Sequence, residues 1–276
     1  MQNYLNLIKD VLEHGHKKED RTGIGTITKW ADCLKWDLAS GFPIITSRKV
    51  SLRIAFEETM FFLRGETNTK LLEEKKINIW KGNTSRSFLD NRGLNHLPEG
   101  DMGKGYGYQF RNFNGVDQLK ELIDGLKRDP NSRRHIISAW NPAQLDEMAL
   151  PPCHLYQQYQ IMDGALNSSF MCRSTDIIYG LPYNIMSYAL INMMIAKLLG
   201  IKSGHLVFFG NDLHIYNNQI DIANEQITRQ PLKLPTLIIN KEYNDLSGML
   251  SLEFNDLELI GYTPLPDFVD KPPMAE

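Results

Sequence analysis

Apolar side chains along this chain recur with two different periods. Residues 3–13 repeat them with the period of about 3.6 residues that is typical of an amphipathic helix. Residues 52–63 follow the same period with an apolar majority and precede Gly65, a common helix terminator. The pattern also predicts helices over residues 116–126, 184–199 and 216–229.

Shorter segments rich in β-branched and aromatic residues predict strands. They cover residues 27–38, 135–140, 155–161, 166–170 and 206–209, followed by a late strand region at 234–239 and 250–259. We expect residues 27–38 to form a hairpin that Gly41-Phe42-Pro43 ends. Runs of strands with the helices grouped elsewhere predict an α+β fold.

The domain organisation follows from length and local composition. The chain has 276 residues and no internal linker, so we expect a single domain over residues 1–276. Residues 81–115 are rich in Gly, Asn, Ser and Arg, which predicts a variable, partly irregular insert. The longest apolar stretch, residues 185–199, is too short and too polar for a bilayer, and the first residues lack a secretory signal. These features predict a cytoplasmic protein without membrane attachment.

Charge and cysteine content exclude further classes. The formal net charge of −3 argues against binding to a nucleic acid backbone, so no DNA binding is expected. The three cysteines are widely spaced and suit neither a disulfide framework nor a zinc site, so no metal is expected. Several arginines, including Arg21, Arg48 and Arg173 and the adjacent pair Arg133 and Arg134, could bind one small phosphate through bidentate contacts.

Cys153 is the strongest candidate for covalent chemistry. It follows Pro151 and Pro152, which stiffen the backbone before the thiol. A nucleophilic cysteine needs its pKa of roughly 8.5 lowered, and a guanidinium such as that of Arg173 is one means of doing so. A cysteine considered alone is more often a small buried hydrophobe. Cys172 adjoins the same arginine, but strand alternation would direct its side chain to the opposite face.

Three further positions suggest proton transfer and ligand recognition. Glu58 would have a raised pKa if it faced the apolar side of its helix, but the period does not decide whether it or Glu57 points inward. Asn184 could read one edge of a heterocycle or, alternatively, cap the helix that follows it. His214 and Tyr216 alternate with period two, so both could bind a sugar hydroxyl from one face.

Taken together, these segments resemble the thymidylate synthase family, from Tyr4 to the last residues. The matching segments, in chain order, are residues 20–26 (Asp-Arg-Thr-Gly-Ile-Gly-Thr), 41–46 (Gly-Phe-Pro-Ile-Ile-Thr), 62–68 (Phe-Leu-Arg-Gly-Glu-Thr-Asn), 78–80 (Asn-Ile-Trp), 132–134 (Ser-Arg-Arg), 138–142 (Ser-Ala-Trp-Asn-Pro), 150–154 (Leu-Pro-Pro-Cys-His), 173–174 (Arg-Ser), 180–184 (Gly-Leu-Pro-Tyr-Asn) and 214–216 (His-Ile-Tyr). So many ordered matches are highly specific.

The resemblance implies a fold and a reaction. It implies a large twisted mixed sheet flanked by helices, and a homodimer that forms through the sheet. Cys153 would attack C6 of dUMP and make C5 a carbon nucleophile. C5 would then receive a one-carbon unit and hydride from 5,10-methylenetetrahydrofolate, a co-substrate, which gives dTMP and dihydrofolate.

The resemblance also implies roles for individual residues. Glu58 would organise proton transfers at the pyrimidine O4 and C5, and Tyr106 would assist removal of the C5 proton. The implied catalytic residues are Cys153, Glu58, Tyr106, His154, Asn184 and Asp176. The implied dUMP contacts are Arg21, Arg173, Ser174, Asp176, Asn184, His214 and Tyr216, with Arg133 and Arg134 reaching across the dimer. The implied folate contacts are Ile79, Trp80, Leu150, Asp176, Tyr179, Gly180, Tyr183 and Ala275.

Several residues depart from the family pattern, namely Lys81, Lys104, Gly105, Phe110, Cys172, Tyr179, Asn211 and Glu276. Methylation requires hydride to reach an exocyclic methylene before water does. Glu276 and Tyr179 fall where the folate and the closing tail should meet, so a dUMP hydroxymethylase, giving 5-hydroxymethyl-dUMP and tetrahydrofolate, is the alternative. Trp80 favours methylation. A catalytically silent member that binds RNA or a protein is a third hypothesis, which the intact candidate residues disfavour.

Overall fold

The protein is built on a mixed sheet of six strands, described over residues 1–272 by a computed structural model. The strands are β1 (His16–Lys18), β2 (Thr26–Asp37), β3 (Ile136–Ser138), β4 (His154–Met162), β5 (Ala165–Asp176) and β6 (Lys202–Tyr216). Their order is β1-β2-β6-β5-β4-β3, with β5 and β6 parallel and the other neighbours antiparallel. This arrangement confirms the expected α+β fold with a large mixed sheet.

Helices and a small second sheet surround the large one. The helices are α1 (Gln2–His14), α2 (Leu52–Leu63), α3 (Lys70–Glu74), α4 (Arg86–Asn91), α5 (Tyr106–Asn112), α6 (Gln118–Arg128), α7 (Gly180–Leu199), α8 (Ile220–Thr228) and α9 (Leu246–Leu250). Strands β7 (Thr236–Ile239) and β8 (Leu257–Ile260) pair antiparallel. Helix α7 is the crossover that parallel β5 and β6 require. Within residues 1–272, no helix has both the length and the apolar content to traverse a bilayer.

The two faces of the sheet have different environments. On one face, the ring of Phe170 stacks on Tyr188 of α7 at 4.1 Å and lies 5.1 Å from Phe208. Side chains alternate along a strand, so Phe209 points to the other face, where it is 40% exposed. Tyr156 and Met171 line a cavity together with Phe209 on this face. One face of the sheet therefore packs in the core, and the other leaves large apolar side chains accessible.

The predicted hairpin at residues 27–38 is wrong, because β2 is a single strand. The β2–β6 ladder keeps one register from Thr26–Tyr216 to Asp37–His205, with only Ala31 and Asn211 left out of the pairing. Ala31 adopts a left-handed φ of 61°, a local irregularity in a strand that is otherwise continuous. The hairpin in this region is formed by β1 and β2 instead.

Two later boundaries also differ from the prediction. Tyr216 was expected to begin a helix, but it ends β6, and α8 begins only at Ile220 after a short turn. Residues 250–259 were expected to be strand, but only β8 at Leu257–Ile260 is extended. The insert at 81–115 is less irregular than its composition suggests, since it contains α4 and α5.

Candidate active site

A cleft of about 1020 Å³ opens beside the C-terminal ends of β5 and β6, the first turns of α7, and α2. Most of the residues that the resemblance implicates line it, namely Arg21, Glu58, Ile79, Trp80, Leu150, Cys153, Arg173, Ser174, Asp176, Tyr179, Gly180, Tyr183, Asn184, His214 and Tyr216. The fold therefore brings together side chains that are widely separated in the sequence.

Cys153 is held by the side chain of Arg173. The guanidinium donates to the carbonyls of Pro152 at 2.8 Å and Pro151 at 3.0 Å, and its Nη2 lies 4.0 Å from the Cys153 Sγ. Burial nevertheless raises the pKa of the Cys153 thiol, while the charges of Arg173 and Arg21 oppose that rise. The expectation that a neighbouring guanidinium lowers this pKa overall is therefore wrong for the ligand-free chain. Its thiol is predominantly protonated at neutral pH.

Tyr106 and His154 lie behind Cys153 and do not line the cleft. The Tyr106 hydroxyl accepts hydrogen bonds from the backbone N–H groups of Cys153 at 2.7 Å and His154 at 3.3 Å. Burial lowers the pKa of His154 to about 4, against a smaller opposing effect of Asn184, so its ring is neutral. The Tyr188 hydroxyl hydrogen-bonds to its Nδ1 at 3.1 Å. Tyr188, which the sequence did not suggest, thus orients His154.

Glu58, rather than Glu57, faces the cleft. Its carboxyl accepts a hydrogen bond from the Trp80 indole N–H at 2.7 Å. Burial raises the pKa of Glu58 to about 7, and the Trp80 hydrogen bond opposes this rise. Glu57 pairs instead with Lys75 at 2.6 Å. A carboxyl with a pKa near neutrality can both donate and accept a proton under physiological conditions.

Asp176 shapes the junction between β5 and α7. Its Oδ1 accepts from the backbone N–H groups of Ile178 at 2.9 Å and Tyr179 at 2.8 Å. Its Oδ2 accepts from the Gln219 side chain at 2.9 Å. Helix α7 consequently begins at Gly180, so the alternative of Asn184 as its cap is wrong. The Asn184 side chain is free to face the cleft.

Strand β5 also continues further than predicted. It ends at Asp176 rather than at residue 170, so Arg173 and Ser174 lie within the strand. Their neighbours on β6 are paired in register, with Ser174 opposite Asp212 and Asp176 opposite His214. Two parallel strands thereby present polar side chains side by side at one end of the cleft.

His214 is fixed by a carboxylate that the sequence reasoning missed. Its Nδ1 lies 2.9 Å from Asp212 Oδ1, and Lys18 Nζ lies 2.8 Å from Asp212 Oδ2. These partners lower the pKa of Asp212 to about 2, so the carboxylate is ionised and selects the Nδ1–H tautomer. Nε2 is then an acceptor. The period of two that relates His214 to Tyr216 also includes Asp212, so this residue could have been found.

The opposite end of the cleft has an apolar wall. Ile79, Trp80, Leu150 and Tyr183 contribute to it. Further lining residues that were not anticipated are Glu19, Asp20, Thr26, Trp30, Ile54, Asn83, Lys271 and Pro272. Ala275, which was expected to contact the folate, and Glu276 lie outside the described residues.

The remaining arginines lie away from the cleft. Arg133 and Arg134 are exposed between α6 and β3. Arg48 is 3% exposed, donates to the Ile178 carbonyl at 2.5 Å and lies 3.7 Å from Asp267, so it is committed inside the fold. Among residues 1–272, no cluster of three or more Cys, His, Asp or Glu side chains has a geometry that could hold a metal ion.

Comparison with known proteins identifies the relatives of this chain. Residues 2–273 match the family model described as Thymidylate synthase. A bifunctional dihydrofolate reductase-thymidylate synthase from Zea mays is 40% identical over 274 residues, which cover 95% of this chain and 52% of that protein. Proteins of the same name from Glycine max (41% identical; 95% of this chain, 51% of that protein) and Paramecium tetraurelia (42%; 94% and 58%) are similar. The chain spans about half the length of the curated relatives it matches.

Proposed function

Since the chain belongs to the thymidylate synthase family, we propose that it methylates dUMP to dTMP with 5,10-methylenetetrahydrofolate as the second substrate. The observation that carries this proposal is the juxtaposition of Cys153, Glu58 and Asn184 in one cleft with an apolar wall. A thiol, a carboxyl with a pKa of about 7 and an amide that can read a heterocycle are the groups that this reaction needs.

The first step is addition of the thiol to the pyrimidine. The Cys153 sulfur forms a bond to C6, the C5–C6 π electrons move towards C5 and O4, and the thiol proton passes to a base or water. Arg173 lies close enough to stabilise the thiolate as it forms. Together with Arg21 and Ser174, it would also bind the nucleotide phosphate. The backbone of the nucleophile is fixed by the Tyr106 hydroxyl.

Glu58 would manage the charge that develops at O4. Its pKa of about 7 allows it to donate a proton to O4 during addition and to recover it later. The Trp80 N–H holds this carboxyl in place. Tyr106 and the neutral ring of His154 would take part in removal of the C5 proton.

Asn184, His214 and Tyr216 would set substrate specificity. The amide of Asn184 can donate to O4 and accept from N3–H of uracil, a pattern that the cytosine edge reverses. His214 presents an acceptor at Nε2, and its ring lies 5.1 Å from that of Tyr216. This pair would bind the 3′ hydroxyl of the deoxyribose.

The apolar end of the cleft suits a flat heterocycle with a polar edge. Trp80 and Tyr183 offer aromatic surface, and Asp176 can accept from the N–H groups of a pterin. The folate supplies the methylene carbon and the hydride. The rings of Phe62 and Tyr106 pack 6.1 and 6.2 Å from that of Trp80 and so restrict water around it. Hydroxymethylation is not favoured, because the named relatives are thymidylate synthases.

We also propose that the functional unit is a homodimer in the cytoplasm, comprising one thymidylate synthase domain per chain. The sheet face that carries Tyr156, Met171 and Phe209 would be the contact surface, since exposed apolar area favours association. Arg133 and Arg134 would then serve the partner's cleft. Mixing inactive Cys153→Ser and Arg134→Ala chains should restore activity, because a mixed dimer has one intact cleft. Activity that stays absent in a mixture shown to contain mixed dimers would contradict this arrangement.

The reaction itself is tested by product analysis. Protein incubated with dUMP and 5,10-methylenetetrahydrofolate should form dTMP and dihydrofolate in equal amounts, measured by mass spectrometry and by the absorbance of dihydrofolate. Cys153→Ser should abolish turnover, whereas Cys33→Ser, at an exposed thiol that does not line the cleft, should not. Formation of 5-hydroxymethyl-dUMP with tetrahydrofolate as sole products would reject methylation. An absence of any product would reject both reactions.

A further inference from the structure

Tyr179 connects the cleft to residues 265–272, a segment that we call the strap. We infer that Tyr179 is a positioning residue that holds the distal end of the strap against the folate end of the cleft. By holding the strap there, Tyr179 determines how much of the product is dTMP and how much is 5-hydroxymethyl-dUMP. This inference rests on the proposed function and adds to it a residue that controls the product.

The proximal half of the strap is anchored without Tyr179. The Leu265 N–H donates to the Thr46 carbonyl at 2.9 Å. Arg229 donates to the Pro266 carbonyl at 2.6 Å, and its guanidinium lies 4.3 Å from the ring of Phe268, which is 5% exposed. These contacts fix the strap as far as Phe268.

The distal half has few contacts. Val269 is 95% exposed, and Asp270 is also exposed. Lys271 pairs with Asp267, which belongs to the strap itself. Within the described part of the chain, residues 269–272 receive one hydrogen bond from outside the strap, and the Tyr179 hydroxyl donates it to the Pro272 carbonyl at 2.9 Å. This hydrogen bond holds the end of the strap at the cleft, which Lys271 and Pro272 both line.

Tyr179 is itself held at its other end. Its backbone N–H donates to Asp176 Oδ1 at 2.8 Å, and its ring lies 5.9 Å from the guanidinium of Arg48. Asp176 is the carboxylate proposed to bind the pterin. One residue therefore joins the strap to the group that would contact the second substrate, and its ring forms part of the same wall.

The chemical consequence concerns competition at the exocyclic methylene on C5. Hydride from the reduced folate forms a C–H bond there and yields the methyl group. Water instead forms a C–O bond, releases its proton to solvent and leaves tetrahydrofolate. A strap that covers this end of the cleft reduces access of water and so favours hydride transfer. Residue 179 would thus influence which product is released.

Tyr179→Phe removes the hydroxyl and retains the aromatic wall. The loss of one net hydrogen bond should increase the population of the released strap by about three- to tenfold. We expect the KM for the folate to rise by no more than this factor, since the apparent affinity follows the fraction of docked strap, with a smaller fall in kcat and a measurable fraction of 5-hydroxymethyl-dUMP. The affinity for dUMP in the absence of folate should stay within about twofold, because Tyr179→Phe leaves the side chains proposed to contact dUMP unchanged and keeps the backbone N–H that donates to Asp176.

Tyr243→Phe is the matched control. It removes a tyrosine hydroxyl that donates to a backbone carbonyl, that of Met194 at 3.0 Å, at a residue that does not line the cleft. Backbone 15N order parameters of residues 269–271, measured by NMR on the ligand-free proteins, should be lower in Tyr179→Phe only, because they report motion of the distal strap whether or not its amides are hydrogen-bonded. The product ratio and the KM for the folate should likewise change in Tyr179→Phe and stay at the wild-type values in Tyr243→Phe.

The outcomes separate the inference from the function on which it rests. Order parameters in the strap that are equal in wild type and Tyr179→Phe would overturn the inference, as would lower order parameters without any change in folate KM or product ratio. A change of the same size in Tyr243→Phe would also overturn it. A wild-type protein that forms no product from dUMP would reject the proposed function, and the order parameters would still decide whether Tyr179 holds the strap.

Discussion

Removal of the charge on Glu58 should stabilise the protein at alkaline pH. The same change should eliminate its activity. Burial raises the pKa of Glu58 from 4.5 to about 7, so the folded state binds more protons than the unfolded state between these values. Stability then decreases as the pH rises through this window. The full shift corresponds to a cost of roughly 3 kcal/mol once Glu58 is ionised in the fold.

Glu58→Gln should relieve this cost because a neutral amide can still accept the Trp80 hydrogen bond. We expect the variant and the wild type to be equally stable well below pH 4.5, where the wild-type carboxyl is protonated in both the folded and the unfolded states. The variant should be more stable by about 2 to 3 kcal/mol at about pH 8. Urea unfolding at matched protein concentrations and several pH values measures the difference, and matched concentrations remove any effect of association.

Glu57→Gln is the control for this experiment. Glu57 is ion-paired with Lys75 rather than buried without a counter-ion, so its loss should not stabilise the protein at any pH. A stability difference between Glu58→Gln and wild type that does not change with pH would refute the burial of an ionisable carboxyl at this position. A difference that grows towards acid pH would refute the sign of the shift.

Three further outcomes are expected. Trp80→Phe removes the hydrogen bond that opposes the rise in the Glu58 pKa, so the limb of the pH–rate profile that reports Glu58 should move to higher pH. A limb that does not move would contradict the assignment of that limb to Glu58. Asp212→Asn leaves a single side-chain oxygen where Lys18 Nζ and the His214 Nδ1–H each need an acceptor, so the Nδ1–H tautomer is no longer fixed and the KM for dUMP should rise roughly tenfold with a smaller change in kcat, whereas an unchanged KM would exclude that role. Ala31→Gly should stabilise the protein by about 0.5 to 1 kcal/mol in urea unfolding, because the left-handed φ of 61° is strained for alanine; destabilisation would show that this position needs the methyl group.

The sequence predicts the bounds of an element well where capping residues or a terminating glycine mark both of its ends. Helix α2 has the predicted bounds of 52–63, because Ser51 caps its start, an apolar period runs through it and Gly65 follows its end. Helix α1 differs from the prediction by one residue at each end. Such helices are determined by short-range periodicity and capping, which are visible in the sequence.

Elements whose ends depend on tertiary partners were predicted less well. Strands β5 and β6 continue through polar residues such as Arg173 and Asp212, which read as loop by composition. Their extension depends on parallel pairing with each other, a contact across a long sequence separation. Helix α7 begins early because Asp176 binds the amides before it, and no pattern in α7 itself indicates this.

The residues of the candidate site also fall into those that a local motif predicts and those that depend on tertiary contacts. Cys153, Glu58 and Asn184 were anticipated because each stands in a short motif with its own chemistry. Tyr188 and the strap contact of Tyr179 were not, since a tyrosine in an apolar helix has no signal for the partner of its hydroxyl. Burial also reversed the expected direction of the Cys153 pKa, a quantity that depends on surroundings rather than on neighbours in sequence.

A nucleophile that is uncharged while the cleft is empty has a consequence for the lifetime of the protein in a cell. Peroxides react with thiolates far more readily than with thiols, so the resting cleft offers them little to attack. Ionisation would be deferred until a nucleotide is in place and covers the sulfur. The sulfur would therefore be protected from oxidation in both states, by its proton when the cleft is empty and by the nucleotide when the cleft is occupied.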